Sequence, residues 1–464
     1  MTADPAAGLR ALLGPEAVPE RVPGEWQHDA TESAGPAGRA QAAVAPATPE
    51  EAAAAVAWCY ERGIPIVPRG GGTGLAGGAV PAEGGVVIGT ERLNRIRALD
   101  GPQWRMEAEA GVTTATVKRR AREEGLFFPP DPGAAESSHL GGNLAANAGG
   151  PHAFKYGVTR TWVTGIEAVV PPGDLVTIGG PVRKDVAGYD LVSLLVGSEG
   201  TLGLITAAWL KLTPAPEAAF PVAAVHADAA AGCAAIDSVL GAGIQAAALE
   251  YLDAGTLAAA GGSFPAGPLP DGAFLVLADA DGTAAEAAAV RSDLLEVLGA
   301  GALMVHAPEE RRDIEAVWRW RDGVSLAVRA RRGAKVSDDV VVPVEHLAEA
   351  IAATLEIGAR HGLESCSWGH AGDGNLHATF MIAAGDAEAR QRALAAAEDL
   401  FAFVVERHGT ISGEHGLGRV KGSALARQWS PRALALQDAV RAAFDPKGLM
   451  NPGAKRTQPA APPR

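Results

Sequence analysis

The sequence predicts an α+β protein of two or three domains, and three observations carry that prediction. The chain has 464 residues, beyond the size at which one hydrophobic core stops growing. Residues 1–215 mix short apolar strands, helices and two glycine-rich loops. From residue 216 to about 400, apolar runs alternate with long alanine-rich helical stretches. That second pattern suits helices laid on one side of an antiparallel sheet.

Taken in order, residues 1–20 predict a short helix, and the Ala-, Gly- and Pro-rich residues 31–50 an extended strap. Glu50 to Arg62 places Ala53, Val56, Ala57 and Tyr60 at helical spacings, with Gly63 as the stop. Ile64 to Pro68 is a strand that runs into Arg69-Gly-Gly-Gly-Thr-Gly74. Strands follow at 85–88 and 105–110, then a helix at 113–124 capped by Thr113 or Thr114. A second small-residue loop spans 137–150, and strands resume at 163–170 and 202–212. Thr213-Pro-Ala-Pro216 marks a boundary. Beyond it lie strands at 220–225, 273–277 and 367–368 and helices at 284–299, 344–359 and 384–405. Small-residue motifs recur at 409–420 and 444–453, and residues 454–464 read as a frayed tail.

Composition excludes several classes. The net charge of −14 argues against a general binder of nucleic acid or anionic membranes. Arg311, Arg312, Arg319, Arg321, Arg329, Arg331, Arg332 and Lys335 form a local basic cluster, read as an anion-attracting patch or a solvated helix face. Cys59, Cys233 and Cys366 lack the paired spacing of a disulfide framework, an iron–sulfur cluster or a thiolate zinc site. The N-terminus lacks a secretory pattern, and no stretch reads as a membrane span. A cytoplasmic protein is expected, held at the membrane periphery only through an electron-acceptor partner.

The run Pro68–Gly78 is dense in glycine, which permits close backbone approach to a ligand and a pyrophosphate cradle. It contains Gly-x-Gly-x-x-Gly at Gly72, Gly74 and Gly77. No βαβ unit with an acidic ribose ligand follows, so an ordinary nicotinamide-binding reading is poor. The second loop, Ser137–Gly150, holds two asparagines, two serines and four glycines. Packing alone does not call for that polarity. A dinucleotide or phosphate ligand is favoured over structural turns.

His370 and His377 flank Ala-Gly-Asp-Gly-Asn-Leu. A spacing of seven on one straight strand puts them on opposite faces. The Gly372-Asp373-Gly374 turn offers a way to bring both imidazoles together. Glu414 and His415 sit between Gly413 and Gly416 in another tight segment. Two histidines and a carboxylate make a reasonable divalent site with open positions. Purely structural histidines, with Asp373 only holding a turn, are the alternative.

Several motifs in order resemble the FAD-linked oxidases of the vanillyl-alcohol oxidase superfamily. Within it they resemble the group of the glycolate oxidase D-subunit, D-lactate dehydrogenase and D-2-hydroxyglutarate dehydrogenase. They are PRGGGTGLAGG at 68–78, PPDPG at 129–133, GGNLAANAGG at 141–150 and KYG at 155–157. KDVAGYDLVSLLVGSEGTLG at 184–203, GHAGDGNLH at 369–377, SGEHGLG at 412–418 and FDPKGLMNPGAK at 444–455 complete them. They span nearly the whole chain.

The resemblance implies a two-lobed FAD-binding domain at 1–215, a cap domain with a ferredoxin-like core at 216–405, and a segment at 406–464 that returns to the FAD domain. It assigns Arg69, Gly70, Gly71, Gly72, Thr73, Gly74 and Leu75 to the pyrophosphate. Pro130, Asp131, Ser137, Ser138, Gly141, Gly142, Asn143, Ala148 and Gly149 fall on the flavin side. Glu199, Ile205 and Asn451 complete the cradle. No nicotinamide is implied. The first loop has no histidine or cysteine, so covalent flavin is not expected. His139 is expected to satisfy local hydrogen bonds.

The resemblance also implies His370, His377 and Glu414 as ligands to zinc or manganese. His415 is left as the base for the hydroxyl proton, beside the ligand set rather than within it. Arg321 and Lys335 match the family's cations for the substrate carboxylate, with Ser325 adding a hydroxyl. A surface salt bridge is the plainer role for Arg321. The implied reaction is oxidation of a small D-2-hydroxy acid to the 2-oxo acid, with D-lactate or glycolate favoured. D-2-hydroxyglutarate, which needs a second cation, and a non-catalytic flavin-binding subunit of a larger complex are the alternatives. Flavin-assisted non-redox chemistry, as in ether-lipid synthesis, fits less well. The electron acceptor is open among a partner subunit, a cytochrome, a quinone, a flavoprotein and oxygen. A homodimer is compatible with the sequence.

Overall fold

A computed structural model describes residues 4–31 and 35–456. Part of the strap at 31–50, the first three residues and the tail from 457 onward lie outside the described residues. The chain divides into two compact units. One comprises Met1–Gly149, Val158–Pro214 and Glu414–Arg464, and the other Gly150–Gly157 and Ala215–Gly413.

The first unit is built on two main sheets. Strands β1 (Ala42–Val44), β2 (Ile66–Arg69) and β3 (Val86–Gly89) form a parallel sheet in the order β1-β3-β2. The helix Pro49–Glu61 links the first two. Thr48 caps it by accepting the Glu51 N–H, and proline stands at its start. Its Ala52, Ala55, Val56 and Cys59 face a core of Val44, Ile66, Val86 and Ile88. Continuous apolar strands such as Val86-Val-Ile88 suit a parallel sheet covered on its faces.

Strands β4 (Ile96–Asp100), β5 (Arg105–Glu109), β7 (Val163–Val170), β8 (Asp174–Gly179) and β9 (Leu204–Lys211) form an antiparallel sheet in the order β4-β5-β9-β7-β8. A short pair joins β6 (Leu126–Phe127) to β10 (Thr213–Pro214). The C-terminal segment returns to β2. Ile66 donates its N–H to Leu449 and accepts the Asn451 N–H, and Met450 is buried in the same core. The helix Pro431–Phe444 precedes this return; it was not read from the sequence, where its alanines and charges show no clean apolar stripe.

The second unit is one seven-stranded sheet. Its strands are β11 (Ala218–His226), β12 (Ala248–Leu252), β13 (Phe274–Gly282), β14 (Met304–His306), β15 (Gly333–Val341), β16 (Glu364–His370) and β17 (Asn375–Ala383). Their order is β14-β11-β13-β12-β16-β17-β15, with antiparallel neighbours throughout. The first four, with helices Ala229–Gly241 and Ala284–Gly299, make a ferredoxin-like βαββαβ unit.

Helices cover both faces of this sheet, where the sequence predicted one. Ala223, Val225, Leu275 and Leu277 pack with Leu257, Val317, Trp320, Val324 and Val328 from helices Ala254–Ala260, Arg311–Asp322 and Val324–Arg332. Alternation turns their neighbours, such as Phe274, to the other face, against Gly232 of helix Ala229–Gly241. The reason lies in the strands: β11 to β13 are buried along almost their whole length, so neither face reads as solvent.

Two further elements differ from the sequence reading. The loop expected at 137–150 contains a helix, Leu140–Ala146, ended by Asn147 in the left-handed region. Its two glycines are tolerated because Gly141 packs against Ala110 where a Cβ has no room. Residues 150–157 join the second unit. There His152 pairs with Asp279 at 3.2 Å, and Lys155 and Tyr156 both bond Asp281. All three cysteines are buried and unpaired, and burial pushes the Cys59 thiol up to about 12.

A charge network centred on the buried Glu109 ties the antiparallel sheet of the first unit. The Glu109 carboxylate accepts the Arg95 N–H at 2.9 Å, Arg95 Nη2 at 2.8 Å and Arg97 Nε at 3.2 Å. Arg97 continues to Glu107 and Glu167 at 3.1 and 2.9 Å. Burial pushes the Glu109 carboxyl up, but the bonds from Arg95 and Arg97 outweigh it and hold it below its ordinary value. A carboxylate lowered on folding adds stability above its unfolded value and loses it as pH falls through the lower folded one. Glu109→Gln is expected to lower the melting temperature at neutral pH by about 2–4 °C, the shift from ~1 kcal/mol. It should also flatten the loss of stability below about pH 5 in circular dichroism melts.

Candidate active site

The first unit supplies a cradle made of backbone. The loop after β2 runs beside the segment Ser137–Gly142. A Cβ on Gly71 would lie 2.0 Å from the Ser137 carbonyl oxygen, and one on Gly70 3.0 Å from the Gly142 Cα. Gly72 adopts φ +72°, which favours glycine. The two glycine segments are therefore in direct backbone contact, as expected of strands of chain closing on a flat cofactor. Arg69 bonds the carbonyls of His28 and Glu25 at 2.8 and 2.7 Å, so its guanidinium anchors the chain at 25–28.

Behind the loops, Ser138, Thr114 and Asn143 form a buried chain of hydrogen bonds. His139 Nδ1 lies 3.1 Å from Thr90 Oγ1, a local partner. Burial, with Arg69 nearby, pushes the His139 imidazole down, which favours its neutral form. Glu199 adopts φ +53° and accepts the N–H groups of Leu417 and Gly418 at 3.0 and 2.6 Å. Asn451, fully buried, donates Nδ2 to the carbonyls of Gly78 and Glu199 at 2.7 and 2.8 Å. One side chain thus clamps the first loop, the Glu199 turn and the returning segment. Among the described residues, the buried Ser198 hydroxyl has no partner. Glycines in backbone contact and a buried hydroxyl left for another donor or acceptor fit FAD. Pro130 and Asp131 lie after β6, Ala148 and Gly149 directly after the helix Leu140–Ala146, and Ile205 is buried in β9. A Cβ on Gly149 would sit 2.8 Å from Glu414 Oε2. His415 Nε2 lies 3.6 Å from Glu414 Oε1.

The second unit supplies a buried polar cluster. Strands β16 and β17 form a hairpin through Ala371–Asp373, with Gly374 at φ +68°. Trp368 faces His377 across it. The turn brings the His370 and His377 rings edge to face, 5.4 Å apart. The Asp339 carboxylate, fully buried on β15, accepts Asn375 Nδ2 at 2.7 Å, the Gly413 N–H at 2.8 Å and Ser412 Oγ at 3.2 Å. It therefore holds the backbone at Ser412 and Gly413.

Arg321 sits at the end of helix Arg311–Asp322 and donates Nε to Glu250 Oε2 at 2.8 Å. Nη2 bonds the same oxygen. The other Glu250 oxygen accepts Nδ1–H of His370. Burial pushes the Glu250 carboxyl up, but Arg321 and His370 outweigh it and hold it down to about 2. Arg321 is therefore a buried ion-pair partner rather than a surface one. Lys335 lies inside β15. Its Nζ donates to Ser325 Oγ at 2.8 Å and rides over the Trp368 ring at 4.8 Å.

Sequence reasoning missed Glu250 and Asp339. A signal existed for the first: Glu250 is the lone charge in Ala246-Ala-Ala-Leu-Glu-Tyr-Leu252. A carboxylate in so apolar a strand needs a buried partner. The partner itself, from 71 residues away, was not legible.

These features define a two-unit α+β flavoprotein fold with a separate sheet-built cap domain. Solved structures agree. P-cresol methylhydroxylase aligns with a TM-score of 0.80 at 18% identity over 97% of this chain and 96% of that one. The 4-ethylphenol oxidase of Gulosibacter chungangensis aligns with a TM-score of 0.80 at 19% identity over 99% and 97%. The FAD binding domain model matches residues 40–179, and the model for the C-terminal domain of FAD linked oxidases matches residues 215–454.

The chain belongs to the FAD-linked oxidase family and is an FAD-dependent oxidoreductase. It is 34% identical to the glycolate oxidase subunit GlcD of Bacillus subtilis (strain 168), over 98% of this chain and 97% of that one. It is 34% identical to a D-lactate dehydrogenase of Anaerostipes hadrus, over 96% and 94%. The mitochondrial D-2-hydroxyglutarate dehydrogenase of Rattus norvegicus is 32% identical, over 88% and 76%. No helix among the described residues is long and apolar enough to cross a membrane.

Gly71→Ala is expected to yield a folded protein that has lost most of its flavin. Its FAD dissociation constant should rise at least about tenfold, or ~1.4 kcal/mol, read by flavin fluorescence after ultrafiltration.

Proposed function

We propose that the chain oxidises a small D-2-hydroxy acid, D-lactate or glycolate, to the 2-oxo acid. The relatives named for glycolate, D-lactate and D-2-hydroxyglutarate support the reaction class. The observation that carries the mechanism is the His370–His377 hairpin with a carboxylate on Nδ1 of His370. A carboxylate on one ring nitrogen leaves the other as a ligating nitrogen, a donor arrangement that fits a divalent ion. His370, His377 and Glu414 would hold zinc or manganese. Bound FAD would supply the acceptor for the C2 hydride, and a bound metal would polarise the 2-hydroxyl.

The chain's own groups do the rest. An imidazole nitrogen of His415 takes the hydroxyl proton. Lys335, kept in place by Ser325 and Trp368, supplies positive charge for the substrate carboxylate. Arg321 presents the part of its fork that Glu250 does not engage. Of the three arginines that could meet a distal carboxylate, Arg329, Arg331 and Arg332, the last two are paired with Glu364, which supports a small acid over D-2-hydroxyglutarate. Electrons leave to an acceptor outside this chain: a partner subunit, a cytochrome, a quinone, a flavoprotein or oxygen.

The test is anaerobic reduction of the flavin-loaded protein by D-lactate, L-lactate, glycolate and D-2-hydroxyglutarate. D-lactate or glycolate should bleach the visible flavin band fastest. If no hydroxy acid bleaches it, this reading is wrong. His415→Ala should slow the bleaching by about 10²–10⁴-fold with FAD still bound. A non-catalytic flavin subunit would show no bleaching with or without that change. Removal of divalent ions by a chelator should abolish the reduction, and added zinc or manganese should restore it.

A further inference from the structure

Glu250 sits opposite His370 across the β12–β16 ladder and is wholly buried. Its two oxygens serve different partners. Oε1 accepts from His370 Nδ1, and Oε2 accepts from Arg321 Nε and Nη2. A carboxylate only accepts, so in the neutral ring it fixes the proton on Nδ1 and the lone pair on Nε2. It also holds the guanidinium by two donors and limits its rotation. The arrangement places a single buried anion behind both groups. A structural ion pair needs only the arginine; the histidine bond adds to the stabilisation of the carboxylate and fixes the ring as well.

We propose that Glu250 is a positioning residue that couples divalent-metal binding at His370 to carboxylate binding at Arg321. The inference rests on the metal reading above. It assigns to one side chain the tautomer of a ligand and the orientation of a substrate cation. The two binding events should then weaken together when Glu250 changes.

Glu250→Gln separates this role from packing. Glutamine has nearly the same shape and its Oε1 still accepts from Arg321. Its Nε2 can only donate to His370 Nδ1, which moves the ring proton to Nε2 and blocks ligation. The experiment uses the flavin-loaded protein, stripped of divalent ions and titrated with Mn²⁺ while free Mn²⁺ is read by electron paramagnetic resonance. Parent, Glu250→Gln and Glu250→Asp are compared, with the flavin band and melting temperature as checks on folding. Mn²⁺ affinity is expected to fall about 10–100-fold in Glu250→Gln. At saturating Mn²⁺, its KM for D-lactate is expected to rise about tenfold, with a smaller change in kcat. Glu250→Asp keeps the charge and should recover part of the Mn²⁺ affinity.

Parental Mn²⁺ affinity in Glu250→Gln would overturn the inference and leave the metal reading intact. A parent protein that binds no Mn²⁺ and no Zn²⁺ would sink both. Should Glu250→Gln fail to fold, Glu250→Asp decides: its shorter side chain cannot span both partners, so unchanged Mn²⁺ affinity overturns the coupling.

Discussion

The first unit depends on backbone meeting backbone. Gly70 and Gly71 pass so close to Ser137–Gly142 that a single Cβ would collide. This contact decides where the rest of the cradle can go. The helix Leu140–Ala146 can carry two glycines because one of them faces Ala110 with no space between. Asn451 can clamp the carbonyls of Gly78 and Glu199 only because the C-terminal segment is pinned alongside β2. Each of these is a hydrogen-bonding solution to a crowded backbone. Together they present backbone rather than side chains at the glycine loops, the chemistry that a dinucleotide needs.

In the second unit the governing problem is buried charge. Glu250, Asp339, Arg321 and Lys335 are withdrawn from water inside or against a sheet rich in Ala, Val, Leu and Phe. Burying a charge is costly unless it is paired and hydrogen-bonded. Each of the four is held: Glu250 between Arg321 and His370, Asp339 on three donors, Lys335 on Ser325 and the Trp368 face. An apolar core would be simpler to stabilise. Charges retained at such cost lie on β12, on β15 and on the helix Arg311–Asp322, with Glu250 bonded directly to His370.

Much of this was legible in the sequence. The strand and helix at 163–170 and 284–299 coincide with the structure to the residue, because a short apolar run and an N-terminal Thr283 capping box are local signals. Thr113 caps its helix for the same reason. Legibility ended where partners come from far away. The second glycine segment read as a loop because helix propensity penalises glycine, and the contact that repays it comes from Ala110. Residues 150–157 read as part of the first region, yet Asp279 and Asp281 draw them into the second unit from more than 120 residues away.

The sequence by itself determined the two glycine segments, the histidine pair with its intervening turn, and the family they belong to. These rest on residue type and short spacing, which need no knowledge of the fold. Tertiary structure alone decided that Arg321 faces Glu250, that Lys335 rides on Trp368 inside a strand, and that the cap sheet is covered on both faces. Those outcomes depend on strand order, since β12 lies beside β16 and β17 beside β15. Such adjacency arises from non-local pairing and leaves no periodic trace along the chain.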